Sequence, residues 1–231
     1  MDPNTVQALF SAFIVVATML LVGFPVHEAL HAWTAMRLGD NTARWMGRVT
    51  LDPRVHFDQM GALILVVTAG LSVFGGGILF GWAKPTPVNP INLRYGRQGH
   101  ALVAFAGPAS NLVVAVLVAL PIRLALSNPD WWVTIRTTPL LDMLLSAGLL
   151  LLSLNLLLFI FNLVPIPPLD GWSVLKGIVP REMARRMSEL EVQYASVLPM
   201  VFLGFIVIIF VTGGSFISPL IRGIRDLLLG I

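Results

Sequence analysis

The sequence predicts an all-α polytopic membrane protein. About four spanning helices are expected, with a re-entrant hairpin at 60–82, a short β element near 48–58 and a C-terminal amphipathic helix, in a single domain over 1–231. Three observations carry this reading. Hydrophobic residues make up 56% of the chain against 12% charged, with a mean hydropathy of +0.84, outside the range of soluble proteins. The apolar residues come in runs of the ~20 residues that a helix needs to cross hydrocarbon. The charged residues collect in short loops between those runs. The net charge of +3 would suit nucleic acid only if the basic residues formed a patch; dispersed as they are, they match lipid headgroups, and no nucleic-acid partner is expected. The absence of cysteine excludes disulfides, thiolate metal sites and thiol nucleophiles.

The first run extends from Val6 to Leu38 and lacks a basic leader or a small-residue cleavage site, so it is expected to remain as a membrane helix. Near its end stands His27-Glu28-Ala29-Leu30-His31. Residues i and i+4 share one helix face, so His27 and His31 can offer ring nitrogens to one metal ion. Glu28 points beside such an ion and suits a general base that deprotonates water. A lone histidine on an apolar face is usually a satisfied core residue. Three ionisable groups in one membrane turn are expensive and mark a functional site. Pro25 and Gly23 predict a kink just before the motif. Arg37 lies six residues beyond His31, about 9 Å of helix, which puts the site inside the bilayer near one surface.

Residues 39–59 hold three arginines and three aspartates; Arg48-Val49-Thr50-Leu51 is β-prone and Asp52-Pro53 signals a turn. His56 and Asp58 are weighed as extra ligands, although a polar surface loop explains both. The 60–82 run is apolar but interrupted by Gly70 and Gly75-Gly76-Gly77, a poor composition for a straight span. Residues 83–100 form a basic, proline-rich loop. The third run, Ala101 to Leu126, carries Gly107-Pro108-Ala109-Ser110-Asn111, where small residues allow close helix contact and Asn111 needs a partner; packing and an active-cavity role stay open for it. The fourth run, Pro139 to Asn162, leads into Pro165-Ile166-Pro167-Pro168-Leu169-Asp170. Three prolines there stop the helix, so Asp170 is expected on extended backbone, which suits a third ligand. A fifth run covers Ala195 to Val211, and the tail alternates apolar and charged faces at helical spacing.

The His pair and Asp170 both end apolar runs, so sharing one ion requires an odd number of crossings between them. Two runs intervene, and the glycine-broken 60–82 run is the one expected to re-enter. This topology puts eleven of the fifteen basic residues on one side, which the positive-inside rule makes cytoplasmic. Trp33, Trp45, Trp82 and Trp172 would anchor the inner interface, Trp131 and Trp132 the outer one.

His27-Glu28-Ala29-Leu30-His31 with the distant Asn162-x-x-Pro165-x-x-x-Leu169-Asp170-Gly171 resembles the site-2 protease family of intramembrane zinc metalloproteases. Gly81-Trp82-Ala83-Lys84-Pro85, Pro-Val-Asn-Pro at 87–90 and Gly107-Pro108 with Asn111 look like its short branch, without PDZ or CBS domain. The resemblance implies one Zn2+ per chain held by His27, His31 and Asp170, with Glu28 as base. It also implies that Asn162, and with it Asn111, serves substrate or oxyanion. It further implies regulated intramembrane proteolysis of transmembrane protein substrates in the cell membrane, with a regulatory membrane partner or homodimer left open. The re-entrant segment or a strand at 48–51 is expected to hold substrate by strand addition. A zinc transporter and a catalytically silent homologue are the rival readings.

Overall fold

The computed structural model describes residues 3–73, 80–212 and 214–231, and all regular structure among them is helical. Three helices are long and apolar enough to cross a membrane, Ala8–Arg37, Gly96–Leu126 and Pro139–Asn162, or four if the bent pair Arg181–Gln193 and Leu198–Ile209 counts as one span.

The first span is built from α1 (Pro3–Thr18), a π-turn (Met19–Gly23) and α2 (Phe24–Arg37). Pro25 has no N–H to give Leu21, and its ring would crowd that carbonyl in a regular helix. The turn widens instead, with the Phe24 N–H donating to Met19 O. The expected kink is thus a π-turn placed just ahead of the histidines.

Short helices α3 (Thr42–Trp45) and α4 (Pro53–His56) come next, and no strand forms over 48–58. This corrects the β expectation, and the reason lies in the local hydrogen bonds. Asp52 caps α4 by accepting from the Arg54 N–H, the Arg48 N–H donates to Ala43 O, the Arg48 guanidinium to Val55 O, and Thr50 O accepts from His56 Nε2. The Arg48 N–H and the Thr50 carbonyl are thus bound within the protein, which leaves less of 48–51 for strand addition.

α5 (Gln59–Val73) packs against α1. Gly75-Gly76-Gly77, the centre of the expected hairpin, lie outside the described residues. Beyond them the chain runs back along α5: the Phe80 N–H donates to Thr68 Oγ1, Gly81 lies against Leu65, and the Lys84 N–H reaches His56 O. Residues 80–89 belong to no helix or strand and make a poor docking edge. Positions 85 and 87 are prolines, and the N–H groups of Lys84, Thr86 and Asn89 are bound within the protein. The segment is a strap.

α6 (Gly96–Leu126) is the central helix, packed against α2, α8 (Pro139–Asn162) and α9 (Asp170–Ile178). Gly107, Asn111, Ala115 and Ala119 recur every four residues on it, and all four are buried. This stripe of small side chains lets α8 approach, and Leu152 and Leu156 pack there with no exposure. The segment around Trp131 is helical, α7 (Pro129–Thr137), capped by Asn128. After α10 (Arg181–Gln193) and α11 (Leu198–Val211), α12 (Ser218–Leu229) turns Ile221, Ile224, Leu228 and Leu229 onto the α6–α8 core. Its apolar face is therefore covered by its own chain.

Candidate metal centre

His27 and His31 lie one turn apart on α2, both buried, with ring centroids 4.6 Å apart at 84°. Each ring is fixed from behind. His27 Nδ1 donates to Asn111 Oδ1 at 2.7 Å, and His31 Nδ1 donates to the Val103 carbonyl at 2.7 Å. With the proton of a neutral imidazole held at Nδ1, each Nε2 keeps a free lone pair. Both lone pairs face Asp170, whose Oδ2 lies 3.1 Å from His27 Nε2 and 3.4 Å from His31 Nε2.

Asp170 reaches them because the chain reverses after α8. Pro165, Pro167 and Pro168 end the helical path, Leu169 is extended, and the chain folds back on the end of α8. A side chain at Gly171 would strike Leu163 O, so the glycine after Asp170 is a steric requirement of that return. One expectation needs correcting: Asp170 is not on extended backbone but is the first residue of α9. The extended stretch stops one residue earlier, because nothing obstructs helical winding once the prolines are past. Asp170 therefore moves with α9, and α9 is clamped at its other end. The Arg97 guanidinium donates to Lys176 O and Val179 O, both at 2.6 Å, satisfying carbonyls that a helix end leaves open. Lys176 and Trp172 in turn bind Glu191 of α10, at 2.6 and 3.1 Å.

Gly107 keeps the centre open. A Cβ there would strike His31 Nε2 and stand 2.6 Å from His27 Nε2, in the space the two lone pairs face. Glu28 is next to His27 in sequence and outside the triad. Its Oε2 accepts from the Thr86 N–H of the strap at 2.8 Å, while Thr86 Oγ1 donates to the Glu28 carbonyl at 3.0 Å.

The other candidates lie elsewhere. Asn111 is fully buried, and its carboxamide is used by His27, Asn155 and Gly23, on the Nδ1 side of the His27 ring. Asn162 bonds back to Leu158 O on its own helix and makes no hydrogen bond to the triad. His56 binds Thr50 O, and Asp58 accepts from the Gly61 N–H at the start of α5, so neither joins the cluster. Sequence reasoning missed Thr86, Arg97 and Asn155. For Asn155 a signal existed: an amide in an otherwise apolar run needs an interior partner.

The ligand atoms of His27, His31 and Asp170 lie within 4.8 Å of one another, the one such group among the described residues. Ligands ~2.1 Å from a tetrahedral ion stand about 3.4 Å apart. Two imidazoles in the right tautomer, each with the carboxylate at 3.1 or 3.4 Å, thus match the ligand spacing of a zinc ion.

Comparison with known proteins agrees with this chemistry. The model of peptidase family M50 matches residues 132–207, a stretch containing Asp170. YwhC of Bacillus subtilis is 36% identical over 211 residues, covering 91% of this chain and 87% of YwhC. Rip2 of Mycobacterium tuberculosis is 31% identical over 206 residues, covering 86% of this chain and 70% of Rip2. Rip3 of the same species is 30% identical over 166 residues, 71% of this chain and 31% of Rip3. All three carry zinc metalloprotease in their names. No solved structure matches. With the similarity to YwhC running through both halves of the centre, the chain belongs to peptidase family M50, the site-2 proteases.

Proposed function

We propose that the protein is an intramembrane zinc metalloprotease that hydrolyses peptide bonds within or next to transmembrane segments of other membrane proteins, as in regulated intramembrane proteolysis. The observation that carries this is the convergence of two Nε2 lone pairs and one carboxylate on a single point beside Glu28. His27, His31 and Asp170 would hold one Zn2+ per chain. When bound, zinc supplies a Lewis acid that makes water acidic near neutral pH and polarises a peptide carbonyl.

The chain's own residues supply the proton transfers. The Thr86 N–H engages Glu28 Oε2, which leaves Oε1 to take the proton of the attacking water and pass it to the leaving amine nitrogen. Asn162 spends one Nδ2 proton on Leu158 O. Its second N–H and its Oδ1 are free to meet a substrate backbone or an oxyanion, and we assign it that role.

For topology, we read α5 and the strap as a re-entrant hairpin. In support, the chain returns along α5, with the Phe80 N–H on Thr68 Oγ1 and Gly81 against Leu65, and the 15 described residues of α5, about 22 Å, fall short of ~30 Å of hydrocarbon. One crossing, α6, then lies between the span that ends in the His pair and the span α8 that leads to Asp170, so both ligands come to the same side, and the distribution of basic residues supports a centre near the cytoplasmic face of the cell membrane.

Glu28→Gln tests the reading. The purified variant should retain zinc at wild-type stoichiometry and lose cleavage of a membrane-protein substrate by about a thousandfold. Unchanged cleavage would remove Glu28 from the chemistry, and a wild type that carries no zinc would remove the metalloprotease.

A further inference from the structure

Asn155 lies in α8 between Leu154 and Leu156 and has no exposed surface. Its Nδ2 donates to Leu151 O at 2.9 Å, which turns its Oδ1 towards α6. There Oδ1 accepts from Asn111 Nδ2 at 3.1 Å. Asn111 Nδ2 also faces Gly23 O at 3.4 Å, and Asn111 Oδ1 accepts from His27 Nδ1 at 2.7 Å. Three helices are thus joined at one level by hydrogen bonds that share one sense: each donor belongs to the residue nearer the metal centre or, at the far end, to Asn155 itself, and the series closes on a backbone carbonyl.

We propose that Asn155 is a positioning residue for the metal centre. It fixes which way the Asn111 carboxamide points, and through it the tautomer of His27, so that Nε2 stays free of a proton. This rests on the reading of His27 as a metal ligand.

The two ends of a carboxamide have nearly the same shape, so only its partners decide its orientation. Were Asn111 reversed, its oxygen would confront Asn155 Oδ1 and Gly23 O, acceptor against acceptor, where neither asparagine has any exposed surface. Its Nδ2 would then donate to His27 Nδ1 and leave the ring proton at Nε2. That proton would go to Asp170 Oδ2, 3.1 Å away. Such a His–Asp pair satisfies itself and is closed to a cation. Asn155 is what makes the reversal costly, since Gly23 O at 3.4 Å is the weaker of the two obstacles. A merely adhesive role between α6 and α8 would not explain the consistent sense, and Ala115, Ala119, Leu152 and Leu156 already fill that interface.

The test uses the full chain in detergent, with 15N-histidine NMR of the metal-free protein (His27 assigned by its loss in His27→Gln) and Zn2+ affinity by chelator competition. Wild type should carry a proton at His27 Nδ1. Asn155→Leu, similar in size but unable to accept, should move that proton to Nε2 and weaken Zn2+ binding about 10- to 100-fold. Asn155→Asp keeps the acceptor and, as the neutral acid, the donor to Leu151 O; it should restore both readouts to within a few-fold of wild type. The proposal is overturned if Asn155→Leu keeps the Nδ1 proton and full affinity, or if Asn155→Asp binds as weakly as Asn155→Leu. Should Asn155→Leu fail to fold, an unprotonated His27 Nδ1 in wild type overturns it as well. A wild type that binds no Zn2+ defeats the metalloprotease reading, while the tautomer comparison still decides the role of Asn155.

Discussion

The Thr86 N–H donates to Glu28 Oε2 across 58 residues of chain, and the Thr86 hydroxyl donates to the Glu28 carbonyl. The strap therefore grips the proposed base from both its side chain and its backbone. Thr86→Pro deletes the N–H together with the hydroxyl and should lower kcat about 10- to 100-fold, chiefly through the lost hydrogen bond to a charged group, with zinc content unchanged. Thr86→Ala keeps the N–H and should fall by less than about tenfold. Steady-state kinetics with metal analysis on both variants decides this; equal losses would place the role in the hydroxyl.

Gly107→Ala should abolish zinc binding without weakening the helix. The added methyl would occupy the space between the two Nε2 atoms, while alanine in place of glycine favours α6 by about 1 kcal/mol. Metal analysis beside a thermal melt checks both halves. Retained zinc would show that α6 can shift away from α2.

Arg97→Ala removes the two hydrogen bonds that hold the far end of α9, leaving Asp170 on a loosened helix. Zinc affinity should fall about tenfold, and Arg97→Lys should recover part of it, since an ammonium can serve one carbonyl better than two. Chelator competition measures both; wild-type affinity in Arg97→Ala would show that packing against Ala101 suffices to hold α9.

Asp40 ties the end of α2 to the last residue of the strap and to Asn92 beyond it. Burial pushes its carboxyl up, but hydrogen bonds from Thr42, the Asn89 N–H and Asn92 outweigh this and hold it below the usual carboxylate range. A depressed native pKa means the bonds stabilise fully above the unfolded value of about 3.9 and are lost as pH falls through the lower native value. Asp40→Asn, whose amide N would oppose the Asn89 N–H, should cost about 2 kcal/mol at pH 7. The Tm gap between the two proteins should stay constant above about pH 5 and close below about pH 4. A gap that persists at low pH would exclude the carboxylate as its source.

The chain has no cysteine, so single cysteines report topology directly. Lys84→Cys and Arg136→Cys should label from opposite sides of the membrane, Lys84 from the cytoplasm. Labelling of both from one side would make α5 and the chain after it a full crossing.

Much of the centre was legible because its chemistry is written in local spacing. His27 and His31 needed only the helical period; Asp170 was picked out by the prolines before it and by the resemblance to the site-2 proteases, and the parity count of crossings followed from that choice. The residues that hold the ligands were not legible. Asn155, Thr86 and Arg97 act across 44, 58 and 79 residues on partners that only the packed helices bring near. The segment at 48–51 misled for a different reason: its β-branched residues favour a strand, but Asp52-Pro53 begins a helix and the Arg48 side chain takes the carbonyl of Val55. Intrinsic preference lost there to side chains that reach the backbone first.

The widened turn at Met19–Gly23 sets the angular phase of everything after it. Closed by a bond five residues long, the turn already holds one residue more than a regular α-turn, so a further residue inserted there is not absorbed: at about 100° per residue it would rotate both imidazoles about the α2 axis and carry them away from Asp170. Hydropathy and the ligands themselves would be unchanged, yet the centre would be dismantled; a same-length replacement in that turn would leave it assembled.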